Sequence, residues 1–274
     1  MVQIIVSLTT SPKRLPLLEK TLDSIVQQNV KPNKIYVNLP PVFERTQEVY
    51  PDPTLIYQYK PEYKDIVVWN RNCEDIGPLT KLQGVLEEIE ETQDVWIVTI
   101  DDDIVYLPYT IEVYAMTVQR LEGGNKSKTS AYGLAGFIWH HNQLIPQHEN
   151  SMVHILEGYG SVCYHRSFFP NKSWKTYVQK CLEDNHCKFS DDLLISNWLS
   201  LTNKRRTIVS TPWNNRRVMW ANNCILEYGN GPDALHNGGD LKLETCNNNV
   251  TRYMKSKEFL KSVHLLAKEF SHLM

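Results

Sequence analysis

A mainly parallel α/β sheet flanked by helices is the fold this chain predicts, and three observations predict it. Short apolar runs alternate with amphipathic helical patterns through the first hundred residues. Such alternation implies βαβ units. The last of these runs, Val95 to Ile100, passes straight into Asp101-Asp102-Asp103, and open α/β sheets bind ligands beyond the carboxyl ends of their strands. The chain also has 274 residues of ordinary globular composition, enough for one large domain.

The elements follow in order. Ile4 to Leu8 is an apolar run that reads as a buried strand. Leu18, Leu22, Ile25 and Val26 repeat at helical spacing. Lys34 to Leu39 reads as a second strand, stopped by Pro40-Pro41, and Ile66 to Trp69 as a third. Leu82, Val85, Leu86 and Ile89 mark one helix face before the Val95–Ile100 strand. The second half is less regular. Ala131 to Trp139 and Val153 to His165 read as strands around the turn Gly158-Tyr159-Gly160. Asp191 opens an apolar helix, Pro212 to Asp240 reads as long loops, and 251–272 as a C-terminal helix. No repeat or linker interrupts the chain, so 1–274 is expected to form a single domain, with 1–110 and 111–240 as its two halves.

A net charge of −2 argues against a nucleic-acid partner, because phosphate backbones select basic surfaces. No basic-plus-apolar leader opens the sequence, and no run of about 18 apolar residues occurs. The expectation is a soluble, cytoplasmic protein without an integral membrane segment. Six cysteines fit no zinc spacing, and scattered thiols are the plainer reading for a chain of this size.

Asp101-Asp102-Asp103 is the most informative segment. Three adjacent carboxylates repel one another, and burying them uncompensated costs several kcal/mol, to an order of magnitude. Mg2+ or Mn2+ removes that cost, because hard cations take carboxylate oxygens and bridge to phosphates. A solvated acidic turn is the plainer alternative, but acidic runs rarely end an apolar strand of a parallel sheet.

With this strand end, the chain resembles nucleotide-sugar glycosyltransferases of the GT-A fold, of a family-2-like or exostosin-like kind. The resemblance runs over residues 3 to 240 and rests on the order of its motifs. It implies a Rossmann-like sheet with a smaller, mixed acceptor-side region. It places Asp101 near the donor ribose, Asp102 beside it or against the sugar, and Asp103 on the metal. Asp101 and a late histidine, His236, complete the candidate metal set. Thr9 and Arg14 follow the first strand, where the family holds the nucleoside and phosphate. Asp75 and Lys81, in Asp75-Ile76-Gly77-Pro78-Leu79-Thr80-Lys81, are matched to the pyrimidine and the diphosphate. Gly158, Tyr159 and Gly160 are matched to a turn that lies against the donor sugar, where glycine permits close approach. Asp191-Asp192 is matched to an acidic helix start whose last member is the general base of inverting enzymes. Each segment has a plainer reading: a helix cap at Ser11 or Ser190, a solvated lysine, an ordinary hairpin turn. Trp139, His140, His141, Tyr159, Trp213 and Trp220 are candidates for an acceptor surface, although core packing suits each one as well.

The implied activity moves a sugar from a UDP-sugar, such as a UDP-hexose or UDP-xylose, to a glycan or glycoprotein hydroxyl. Asp192 is the expected base, with Asp191 supporting it. A retaining transferase of exostosin-like type and a non-catalytic module that binds sugar nucleotides or glycans stay open at this point; a nucleotidyltransferase or phosphohydrolase lacks support, because no Gly-rich nucleotidyltransferase signature follows the first strand and no histidine-rich two-metal pattern occurs.

Overall fold

The computed structural model describes residues 2–125, 127–140, 143–147, 151–183, 189–209 and 225–230. In chain order the strands and α-helices are β1 (Ile4–Thr9), α1 (Glu19–Val26), β2 (Lys34–Asn38), β3 (Val42–Phe43), β4 (Glu48–Val49), α2 (Pro53–Ile56), β5 (Val67–Asn70), α3 (Thr80–Glu88) and β6 (Trp96–Thr99). They continue with α4 (Thr110–Glu122), β7 (Ser130–Gly133), β8 (Gly136–His140), β9 (Gln143–Gln147), β10 (Ile155–Leu156), β11 (Val162–His165), α5 (Asn171–Cys181), α6 (Asp191–Leu201) and β12 (Arg205–Ile208).

Seven strands form the central sheet in the order β12-β7-β11-β6-β1-β2-β5. Pairings β1–β2, β1–β6, β2–β5 and β7–β12 are parallel. Strand β11 runs antiparallel between β6 and β7. The sheet is therefore mostly parallel, as the alternation of strands and helices predicts. A small antiparallel sheet, β10-β8-β9, stands apart from it, and β3–β4 forms a short hairpin.

Alternation along the strands sends side chains to two apolar layers. Ile4, Val6 and Leu8 join Trp96, Val98 and Ile100 in one core, which α1 and α4 cover through Leu22, Ile25, Ile111 and Val118. Ile5 and Ile97 point to the other, which α3, α5 and α6 cover through Leu82, Leu86, Trp174, Leu194 and Trp198. Ser7 shares the Ile5 face, and its hydroxyl donates to the Lys81 carbonyl at 2.5 Å. Asn38 and Asn70 extend that buried polar seam: the Asn38 amide donates to Ser7 Oγ and the Leu8 carbonyl, and the Asn70 amide to Asn38 Oδ1. The seam pins the start of α3, and with it Lys81, against the carboxyl edge of β1.

Two sequence expectations change in the second half. The apolar stretch Ala131–Trp139 is not one strand. It splits at Leu134-Ala135 into β7, in the central sheet, and β8, in the small one. A continuous apolar run carries no period to reveal such a break. Val153–His165 also divides, into β10 and β11 on either side of the glycine turn. The C-terminal segment 251–272 lies outside the described residues. Among the described residues no helix is long and apolar enough to cross a membrane.

Candidate active site

Four chain segments meet at the carboxyl edge of the parallel strands. Asp101-Asp102-Asp103 follows β6. Lys81 lies in the first turn of α3. Gly158-Tyr159-Gly160 leads into β11, which begins at this edge because it runs antiparallel. Asp191 and Asp192 form the first turn of α6.

Lys81 is the centre of the arrangement. Its side chain is 8% exposed, and its ammonium lies 2.8 Å from Asp101 Oδ1 and 3.1 Å from Asp191 Oδ2. Burial alone would lower its proton affinity. The carboxylates of Asp101, Asp191 and Asp192 outweigh burial and hold it well above the ordinary lysine range. The cation therefore ties the strand-end aspartates to the acidic helix start. Asp191 Oδ2 is buried and has that ion pair without an aligned hydrogen bond.

Asp102 and Asp103 turn the other way, toward Arg14. The guanidinium lies 3.2 Å from Asp102 Oδ1 and 3.4 Å from Asp103 Oδ2. Thr10 donates its hydroxyl to Asp102 Oδ2 at 2.5 Å. Burial raises the Asp102 carboxyl above the usual range, and Arg14 opposes it. Burial, then Asp102 and Asp101, push Asp103 up to about 7, again against Arg14. Five carboxylates thus face two fixed cations, Arg14 and Lys81, and ionising all five would leave an excess negative charge that a divalent cation would relieve.

The donor set fits such an ion in a limited way. Asp103 keeps a carboxylate at the turn with 19% of its side chain exposed. Among the described residues no group of three or more His, Cys, Asp or Glu side chains converges on one point. A Mg2+-type ion needs only one or two carboxylates when phosphate oxygens and waters complete its shell. His236 lies outside the described residues, as do His141, Trp213 and Trp220.

Other expected residues have defined partners. Thr9 donates its hydroxyl to the Asn38 carbonyl at 2.8 Å, across β1 and β2, so its proton is engaged within the sheet. Asp75 accepts the N–H of Gly77 and the N–H of Glu44, at 2.9 and 2.8 Å. Its carboxylate therefore fixes its own turn and docks the β3–β4 hairpin. Gly158 donates its N–H to Asp192 Oδ1 at 2.8 Å, and a Cβ at Gly158 would stand 2.6 Å from that oxygen. The turn's close approach is thus to the acidic helix start. Gly160 adopts φ +105°, which favours glycine. Burial first, then Asp191, raises Asp192 well above the carboxylate range, and Lys81 opposes this.

Sequence reasoning missed several members. Thr10, beside the expected Thr9, is the residue that reaches Asp102. Tyr106 Oη accepts the Asp101 N–H at 2.9 Å. The segment 225–230 closes over the aspartates from far along the chain: Leu226 N–H donates to the Asp103 carbonyl at 2.7 Å, and Tyr228 Oη to the Asp102 carbonyl at 2.8 Å. The Tyr228 ring also lies 5.5 Å from the Arg14 guanidinium, whose Nη2 donates to the Tyr228 carbonyl. No local pattern marks Tyr228, because its partners are more than a hundred residues away.

No protein-family model matches the sequence, and no curated protein matches it. Solved structures resemble it in fold. A CMP:2-keto-3-deoxy-manno-octonic acid synthetase complexed with CTP is 10% identical, with a TM-score of 0.44 over 77% of this chain and 89% of its own. S. aureus TarS 1-349 is 13% identical, with a TM-score of 0.44 over 76% of this chain and 58% of its own. A Francisella tularensis 2-C-methyl-D-erythritol 4-phosphate cytidylyltransferase is 15% identical, with a TM-score of 0.40 over 77% of this chain and 91% of its own. At such identities and scores no activity, substrate or cofactor is carried from these proteins to this chain.

Proposed function

We propose that the protein is a metal-dependent glycosyltransferase that moves a sugar from a nucleotide-sugar, a UDP-sugar by preference, to a glycan hydroxyl with inversion. One observation carries the reading. The Lys81 ammonium stands between Asp101 and Asp191, so a strand-end aspartate run and an acidic helix start share one charged cluster. Such a cluster suits a reaction that stabilises a departing diphosphate on one side and takes a proton on the other.

In this reading Asp192 accepts the proton of the acceptor hydroxyl. The acceptor oxygen forms its bond to the anomeric carbon as the bond to the diphosphate breaks, and the electron pair leaves with the diphosphate. Raised proton affinity makes the Asp192 carboxylate a stronger acceptor than a solvated one once it is ionised, and the Lys81 cation favours that ionised form. Lys81 holds Asp101 and Asp191 in register, and Arg14 orients Asp102 and Asp103. Asp103, together with Asp101 and His236, would hold Mn2+ or Mg2+, which supplies charge neutralisation at the diphosphate.

The pair of variants Asp103→Ala and Asp192→Asn tests these roles. Calorimetry with UDP and Mn2+ should show metal-dependent nucleotide binding lost in Asp103→Ala and kept in Asp192→Asn, whose turnover should disappear. Unchanged affinity in the first would defeat the metal role, and normal turnover in the second would defeat the base. The hydrogen bond from Gly158 to Asp192 favours one second reading, in which Asp192 positions the turn and the enzyme retains configuration. Product anomer determination by NMR separates the two.

A further inference from the structure

Arg45 sits at the tip of the β3–β4 hairpin, and no function above uses it. Its guanidinium stacks 4.8 Å from the Phe43 ring centroid. Its Nη1 is buried and has no hydrogen-bond partner. In water every N–H of an arginine fork can find an acceptor, and a sealed charged donor without one costs at least as much as a lost hydrogen bond. The residue as a whole is half-buried, so the orphaned position is confined to this one nitrogen of the fork.

The hairpin's anchors show where Arg45 stands. Glu44 donates its N–H to Asp75 Oδ2. Tyr50, at the hairpin's exit, donates its hydroxyl to the Thr10 carbonyl at 2.6 Å and packs edge-on to Phe43. Thr10 in turn holds Asp102. Burial lifts the Tyr50 hydroxyl well above the ordinary phenol range. Asp75 adds to that and the Arg45 cation opposes it, so both charges lie within electrostatic reach of one hydroxyl. The hairpin thus bridges the turn of Asp75, which leads into the helix of Lys81, and the loop after β1, whose Thr10 holds Asp102.

We infer that Arg45 is a ligand-binding residue, whose guanidinium takes an oxygen acceptor of the bound nucleotide while stacked on Phe43. The inference rests on the nucleotide-sugar reading above. Stacking fixes the plane of the fork, so binding pays little side-chain ordering, and the acceptor satisfies a donor that the free protein leaves orphaned.

Arg45→Met keeps the apolar stem against Phe43 and removes the orphaned donor. The full chain and this variant are compared by thermal unfolding without ligand, and by calorimetry with uridine, UDP and inorganic pyrophosphate, each with Mn2+ present. The expected result is an unliganded Tm that is equal or higher in the variant, with UDP affinity weakened about tenfold or more. Weakening with uridine as well assigns the acceptor to the nucleoside. Weakening only with UDP and pyrophosphate assigns it to the phosphates. Unchanged UDP affinity, or a lowered unliganded Tm beside the weaker binding, overturns the inference, because the guanidinium then serves nothing or serves the hairpin itself. If the parent protein binds none of the three, the functional reading fails and takes this inference with it.

Discussion

Lys81 decides much at the scale of single residues. It is a buried cation facing three carboxylates, and removing it leaves those charges uncompensated. Lys81→Met should therefore lower stability by about 3–5 kcal/mol, read as a shifted urea midpoint at neutral pH. The same variant should regain part of that stability at acid pH, where the aspartates are protonated. Gly158 makes the opposite kind of point. A Cβ there would stand 2.6 Å from Asp192 Oδ1, so Gly158→Ala has to move that carboxylate. Overpacking of this sort costs about 1–3 kcal/mol. If Asp192 is the base, turnover should fall far more than the Tm implies, and full activity at reduced Tm would show that the position of Asp192 is unimportant. Both residues were legible in the sequence as candidates, although the reach of Gly158 to Asp192 was not, because 34 positions separate them.

At the scale of elements, the first half of the molecule was written locally. The apolar runs at Ile4–Leu8, Lys34–Leu39, Ile66–Trp69 and Val95–Ile100 match β1, β2, β5 and β6 to within a residue or two. Helix α1 carries a clear period because it buries one face, Thr21, Leu22 and Ile25, whereas α3 is buried all round from Thr80 to Leu86 and its apolar residues mark only the face against the sheet. Later elements were harder to read. Helix α5 contains Lys172, Lys175 and Lys180 among its buried Trp174, Tyr177 and Val178, so polar and apolar signals overlap. Strand β12, Arg205–Ile208, is an edge strand with only Ile208 buried, and little in its composition announces it. The antiparallel course of β11 depends on the long path before it and left no local mark. One buried residue joins these parts. Arg166 is fully buried and donates to the carbonyls of Leu86 and Ile89 at the end of α3, to Phe169, and to Asn171 Oδ1. It closes the C-terminus of α3, where helical carbonyls lack partners. Arg166→Met should cost about 2–3 kcal/mol, from several orphaned acceptors, in a chemical denaturation curve. Nucleotide affinity well below the melting point should stay unchanged, because the functional side chains lie at the other end of α3.

For the whole molecule, the two edges of the sheet are chemically different. The carboxyl edge gathers the aspartates, Lys81 and Arg14. The opposite edge opens on a cleft of about 500 Å3 lined by Glu91, Asp94, Lys128, His165 and Ser167 among others. His165 is 4% exposed there, with Nε2 2.9 Å from Asp94 Oδ1 and Nδ1 2.8 Å from Ser167 Oγ. That pairing satisfies a neutral ring, and burial lowers its proton affinity below the ordinary 6.5, although Asp94 opposes this. Below about pH 6.5 the unfolded chain therefore binds more protons at this residue than the folded one. The stability that neutral His165 contributes is complete above that pH and declines as pH falls through and below it. Urea midpoints measured from pH 7.5 to 5 should decrease, and His165→Gln should flatten the decrease. An unaltered slope in that variant would show that other groups set the acid limit.

The central claim concerns the other edge, and release of nucleoside diphosphate tests it most directly. The protein is incubated with Mn2+, a panel of nucleotide-sugars and a panel of glycan acceptors, and the released nucleotide is identified by chromatography. The account predicts that one donor, a UDP-sugar by preference, yields nucleoside diphosphate in an acceptor-dependent reaction that EDTA stops. No release from any pairing, or release of nucleoside monophosphate or pyrophosphate in its place, would contradict it.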